Sequence, residues 1–238
     1  IDRSLVGSEM CIRDRSAKKY KAKVLEYNKV KKAEIDGNEW VIHLQKGKKI
    51  KSKILINASG PWINETLKKN IKIKSKNKIR LVKGSHIITK KLYKKDVAFT
   101  FQNTDKRIIF VIPYKKKFSL IGTTEVEVKS PENKEISKKE IKYLIRSVNN
   151  YLEKQISTKD IVDSYSGIRP LIEDFNQASK VTRDYIFDLN IIKKLPLLSI
   201  YGGKLTTYRK LAENVLLDLE KFLPKTKMGP WTHKKNLF

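Results

Sequence analysis

Apolar and polar residues alternate along much of the first half of the chain, a spacing that predicts strands. Strand-like spacing begins from Ala17, with Ala22, Val24 and Leu25, and continues over Lys29 to Ile35. Trp40, Ile42 and Leu44 then fall on one face, as a strand with one buried side requires. Turns at Asp36-Gly37-Asn38 and Lys46-Gly47-Lys48 make this stretch a β-meander. Ile54-Leu55-Ile56 is a short continuous apolar run, which predicts a strand buried on both faces. A helix is expected from Trp62 to about Lys69. Strands are expected over 79–89, 97–102, 107–113 and 119–126, with turn signals between them, as in an antiparallel sheet.

The period becomes helical at Ser137. Ser137-Lys-Lys-Glu140 reads as a capping box, and Ile141, Leu144, Ile145, Val148 and Leu152 share one face of a helix reaching about Lys154. A strand over 161–168 is expected to end at Arg169-Pro170, where the proline fixes a turn. The last clear pattern is a strand, Leu197 to Tyr201, a turn at Gly202-Gly203, and a helix from Leu205 to Phe222. The stripe of that helix is Leu205, Tyr208, Leu211, Val215, Leu219 and Phe222.

Composition narrows the class. Hydrophobic residues make up 39% of the 238, enough for a folded core, and no apolar run approaches the roughly 20 residues of a membrane span. A single cysteine, Cys11, excludes an internal disulfide. His43, His86 and His233 lie far apart, which argues against a zinc site; His43 and His233 read as solvated. The formal charge of +28 suits a polyanionic or phosphorylated partner. It is equally the outcome of AT-rich codons, because the excess is lysine in stretches also rich in Ile and Asn. Residues 1–16 lack this character, and Ser4 to Arg15 resembles translated adapter sequence. They are expected to be a non-native leader that packs against nothing.

The chemistry concentrates in Tyr201-Gly-Gly-Lys-Leu-Thr-Thr-Tyr-Arg209. A helix N-terminus carries unpaired N–H groups and partial positive charge, two glycines permit close approach, and Lys204 adds a full charge. An ordinary βα turn with a solvated lysine has the same spacing. The segment, continued through Glu213, resembles a signature of the FAD-dependent glycerol-3-phosphate dehydrogenases. So do Asn57 to Trp62, Arg80-Leu-Val-Lys-Gly-Ser-His-Ile87, Ser166-Gly-Ile-Arg-Pro-Leu171, Val181-Thr-Arg-Asp-Tyr185 and Met228-Gly-Pro-Trp231, in the same order.

The resemblance, over about 17–238, implies the fold group of D-amino-acid oxidase, of mixed α+β and α/β class. A partial Rossmann-like FAD lobe would be joined to an antiparallel-sheet lobe that binds substrate. The expected division is 17–70 in the FAD lobe, 71–160 in the substrate lobe, 161–225 back in the FAD lobe, and 226–238 opening a linker. No G-x-G-x-x-G occurs in the sequence, and the family's opening segment and C-terminal helical domain have no counterpart. The expectation is therefore a fragment, inactive alone and colourless when purified.

The implied reaction is oxidation of sn-glycerol 3-phosphate to dihydroxyacetone phosphate, with hydride passing to FAD and electrons to quinone. The implied location is the cytoplasm or the cytoplasmic face of the inner membrane, against an anionic lipid surface. The resemblance places Arg169, Arg183 and Lys204 at the substrate; a salt bridge to Asp184 or another carboxylate is the other reading of Arg183. Their charged ends are expected to converge on one cavity, with His86 at its rim and the Gly202-Gly203 turn as its floor. His86 is the candidate base, or else a histidine that hydrogen-bonds flavin or substrate. Gly202, Gly203, Lys204, Leu205 and Thr206 are expected at the flavin pyrimidine, and Ala58 and Gly60 near the adenosine or pyrophosphate. Two other classes stay open: an amino-acid or other oxidase of the same fold group, and a basic nucleic-acid binder, although no nucleic-acid motif is present.

Overall fold

The computed structural model describes residues 13–172, 184–225 and 232. The chain divides into two compact units: 1–59, 63–76 and 184–238 form the first, and 60–62 and 77–183 the second.

In the first unit, a short helix α1 (13–19) precedes a meander of β1 (Val30–Asp36), β2 (Glu39–Leu44) and β3 (Lys49–Ser52). Trp40 is buried, and its indole N–H donates to the Pro196 carbonyl at 3.2 Å. A second sheet has the order β11 (Tyr185–Ile192), β12 (Leu195–Gly202), β4 (Leu55–Asn57). β11 and β12 are antiparallel, whereas β4 runs parallel to β12. The buried stripe of α4 (Tyr208–Asp218) packs Val215 and Leu211 near Leu198, with Leu219 just beyond the helix.

The second unit is one antiparallel sheet with the order β10 (Ile161–Ile172), β5 (Ile79–Lys90), β8 (Phe118–Gly122), β7 (Ile108–Tyr114), β6 (Phe99–Gln102); β9 (Val126–Val128) also pairs with β5. Helix α3 (Lys138–Asn149) covers one face. Its Leu144 and Val148 close over Ile87, Ile109, Val111 and Ile121, all fully buried. Pleating sends the alternate residues to the opposite face.

Several expectations are corrected. Residues 13–19 are helical and 22–25 form no strand. Arg13, inside the supposed leader, stacks its guanidinium 3.5 Å from the Tyr208 ring centroid; residues 1–12 lie outside the described part. Ile56 is 43% exposed because β4 is an edge strand rather than a doubly covered one. The helix at 62–69 is a composite: a 3-10 turn Gly60–Trp62, one α-turn α2 (Ile63–Glu65), and a wider π-turn Thr66–Ile71. The strand expected over 119–126 breaks at 123–125. β10 runs through Pro170 to Ile172 without a turn. Pro170 fits there because β10 is an edge strand, where one N–H faces no partner. Pairing along β5 therefore keeps 161–172 in the second unit, and the chain returns to the first at 184. His43 is paired with Glu34 at 2.9 Å rather than solvated; His233 and the 226–231 segment are outside the described residues.

Candidate active site

The face of the second unit's sheet opposite α3 is organised by register. Tyr165 of β10, His86 of β5, Gly122 of β8 and Phe110 of β7 lie in one row across four strands. Tyr165 stacks on the His86 ring, 4.9 Å between centroids and 8° from parallel. A Cβ on Gly122 would fall 2.1 Å from His86 Cδ2, so the imidazole lies against bare backbone. One turn of pleat away, Arg169 crosses Gly84 in the same manner: a Cβ there would meet Nη2 at 2.5 Å. Two glycines thus clear the space that the Arg169 and His86 side chains fill.

Arg169 is held on its far side by the break after β8. Nη2 donates to Thr123 Oγ1 and Nη1 to Glu125 Oε1, each at 3.2 Å. Burial, with the Arg169 charge beside it, lowers the His86 pKa from 6.5 to about 4. His86 is therefore neutral at pH 7. Its Nδ1 is buried and has no hydrogen-bond partner among the described residues.

In the first unit the parallel pairing of β4 and β12 matters. Asn57 lies beside Ser199, so the loop starting at Ala58 and the turn after Gly202 leave from the same, carboxyl end of the sheet. Open α/β sheets bind ligands at that end. Ser59 Oγ donates to Asn57 Oδ1 at 2.6 Å, and Asn57 Nδ2 to the Ile63 carbonyl, which shapes the first loop. Gly60, which belongs to the second unit, has φ +55° and open space where a Cβ would stand. Gly202 and Gly203 have φ of +76° and +102°, accessible to glycine, and the Gly203 N–H donates to the Asp184 carbonyl at 3.3 Å. Lys204 caps the 3-10 turn Leu205–Thr207 through its backbone, and its Nζ is 4.0 Å from Asp184. This glycine-lined end fits a dinucleotide, with Ala58 and Gly202 to Thr206 as the residues that would hold it.

The structure therefore brings His86 and Arg169 together in the second unit, and Ala58 with Gly202, Gly203, Lys204, Leu205 and Thr206 at one sheet end in the first. Arg183 lies outside the described residues, so the three-cation cluster has no described geometry. Sequence reasoning missed Gly84, Gly122, Thr123, Glu125 and Tyr165. The available signal was Gly-Thr-Thr inside an otherwise regular strand, which marks a break.

A family model described as FAD dependent oxidoreductase matches residues 14–209. Glycerol-3-phosphate dehydrogenase of Pseudomonas aeruginosa is 43% identical over 206 residues, covering 83% of this chain and 40% of that protein. D-erythritol 1-phosphate dehydrogenase of Brucella abortus is 36% identical over 219 residues, covering 89% and 43%. Among solved structures, the glycerol-3-phosphate dehydrogenase of Bacillus halodurans complexed with FAD superposes with a TM-score of 0.65 at 27% identity, over 83% of this chain and 39% of that one. The chain spans about two fifths of the length of these curated relatives. With most of its length matched by one family model, and with the fold and glycine-lined sheet end just described, the chain belongs to the FAD-dependent oxidoreductases.

Proposed function

We propose that the chain serves the FAD-dependent oxidation of a small polyol phosphate, sn-glycerol 3-phosphate, to its ketone, dihydroxyacetone phosphate. The observation that carries this reading is the pairing of a neutral, ring-stacked His86 with the Arg169 guanidinium on one glycine-cleared face. Bound FAD would accept the hydride from the substrate carbinol carbon. The protein's share is orientation and proton handling. Arg169 presents a planar, fixed cation that stabilises negative charge as the hydroxyl loses its proton. His86 takes up that proton. A histidine near pH 4 is a weak base at neutral pH, but a phosphate dianion beside Arg169 offsets the guanidinium field and raises its basicity. Lys204 supplies positive charge at the sheet end. Arg183, which lies in a segment shared with the resembled family, is assigned to the phosphate.

In the same reading electrons pass on to a quinone, and the enzyme works in the cytoplasm or on the cytoplasmic face of the inner membrane. No helix among the described residues is long and apolar enough to cross a membrane, and the +28 charge favours an anionic surface. A second polyol phosphate, D-erythritol 1-phosphate, is favoured by the Brucella relative. The test is reduction of an artificial electron acceptor by the FAD-supplemented protein with glycerol 3-phosphate, erythritol 1-phosphate, glycerol or glycine. Turnover of a phosphorylated polyol supports the reading; turnover of glycine alone overturns it.

A further inference from the structure

The covered face of the second unit holds a polar cluster that the proposed chemistry does not use. Glu140, in the first turn of α3, is only 4% exposed, as is Lys83 of β5. Five donors converge on its carboxylate. Ser85 Oγ and Thr124 Oγ1 donate to Oε1 at 2.7 and 2.8 Å. The Ser137 N–H and hydroxyl donate to Oε2 at 2.9 and 2.7 Å, and Lys83 Nζ lies 3.0 Å away. Burial alone would raise this carboxyl; the hydrogen bonds outweigh it and hold the pKa at about 2. A capping box needs only the Ser137 contacts. The other three reach past the helix to β5 and to the break after β8.

Those two segments carry the candidate site. Ser85 stands between Gly84 and His86, and Thr124 stands between Thr123 and Glu125, the partners of Arg169. The Ser85 N–H also donates to Thr124 Oγ1 at 3.0 Å, and Ser166 Oγ, on the third strand of the site, donates to Ser85 Oγ at 2.7 Å. In β5 neighbouring residues point to opposite faces, so what fixes Ser85 on one side bears on His86 on the other; Thr124, in the break after β8, bears on Arg169 as the chain neighbour of its partners Thr123 and Glu125. We propose that Glu140 is a positioning residue, whose buried carboxylate sets the spacing of Arg169 and His86 through Thr124 and Ser85. The inference rests on the reading of Arg169 and His86 as site residues.

Glutamine is the informative replacement. The Oε2 side of the carboxylate faces an ammonium and a backbone N–H, neither of which can accept, so the amide NH2 must turn toward Ser85 and Thr124. It therefore perturbs the two links in question while the helix cap survives. The groups facing His86 are Tyr165 and Arg169 from β10 and the Gly122 backbone from β8.

The experiment is an NMR pH titration of the labelled 238-residue chain, reading the His86 ring and Arg169 side-chain signals. Methyl shifts of Ile109 and Val111 report whether the core is intact. In the unaltered protein His86 stays neutral down to about pH 4. In Glu140→Gln, its midpoint is expected to move upward by roughly half a pH unit, because the Arg169 charge is displaced while the burial that is the larger cause remains, with the Arg169 signals shifted and the core methyls unchanged. Unchanged His86 and Arg169 signals in a folded Glu140→Gln protein overturn the proposal. If that variant does not fold, Thr124→Val decides, since it leaves the Lys83–Glu140 pair in place. Movement of the Arg169 signals then supports the proposal, and their constancy overturns it. No substrate is present, so the outcome is independent of whether polyol phosphates are turned over.

Discussion

Arg169 and Glu125 form a mostly buried ion pair at 3.2 Å, with side-chain exposures of 28% and 17%. The guanidinium therefore has a counter-charge within the protein before any anion arrives. Removing that charge leaves a stronger positive field at the same place. Glu125→Gln is expected to tighten competitive inhibition by inorganic phosphate roughly two- to fivefold, following the worth of partly exposed pairs. Turnover should fall, because Nη1 loses its strongest anchor. Steady-state inhibition constants check this; unchanged or weaker phosphate binding would show that the pair does not tune the field.

Glycine substitutions on β5, β8 and β10 separate the site from the sheet. A Cβ at Gly84 or Gly122 collides with Arg169 or His86, whereas one at Gly167 meets nothing within 4 Å. Gly84→Ala and Gly122→Ala are each expected to lower kcat/KM by roughly ten- to a hundredfold through misplacement of the functional group. Their folding cost is about 1–3 kcal/mol. Gly167→Ala should leave both unchanged, and paired kinetics and thermal melts distinguish the three.

Acidification probes His86 directly. Its folded pKa, about 4, lies below the ordinary 6.5, so between these values the unfolded chain binds more protons. Stability from this group is complete above pH 6.5 and is lost as pH falls through 4. The loss amounts to roughly 2 kcal/mol once solvent screening is allowed for. Glu140, depressed from 4.5 to about 2, withdraws its contribution only below pH 4.5. Urea unfolding from pH 7 to 4.5 should therefore show a decline that His86→Gln abolishes.

The β11–β12 hairpin turns on Lys193 and Lys194, both left-handed, with φ of +47° and +70°. Lysine pays a steric cost there that Asn-Gly avoids. Lys193→Asn combined with Lys194→Gly is expected to stabilise the protein by about 1 kcal/mol, a rise of roughly 2–4 °C in Tm. Calorimetry that shows no rise would mean the two lysines have compensating contacts.

That turn also illustrates what the sequence conceals. A two-residue turn made of lysines carries no glycine or asparagine signal, so the whole hairpin 185–202 was legible only as its second strand. Pro170 misled in the opposite sense: proline reads as a turn, yet an edge strand accepts it. Ile54-Leu55-Ile56 has the composition of a covered strand, but composition does not report position within a sheet. By contrast, the capping box at Ser137 and the strand–glycine–helix at Tyr201 to Arg209 depend on local rules, and both formed, although a 3-10 turn Leu205–Thr207 stands where the helix was expected to start and α4 covers only Tyr208–Asp218. Of the site, the residues embedded in long motifs were legible. Thr123 and Glu125 were not, because their role depends on a strand break and a distant arginine.

The pleat of β5 has one more consequence. Lys83, Ser85 and Ile87 face the helix while Gly84 and His86 face away, so a slip of one residue exchanges the two sets. It would carry histidine into the core and aim a serine at the face of the candidate site. Insertions or deletions within 79–90 cannot then damage the candidate site and spare the fold, or the reverse. In a library scanning single-codon deletions along this strand, folded and functional survivors should be the same clones.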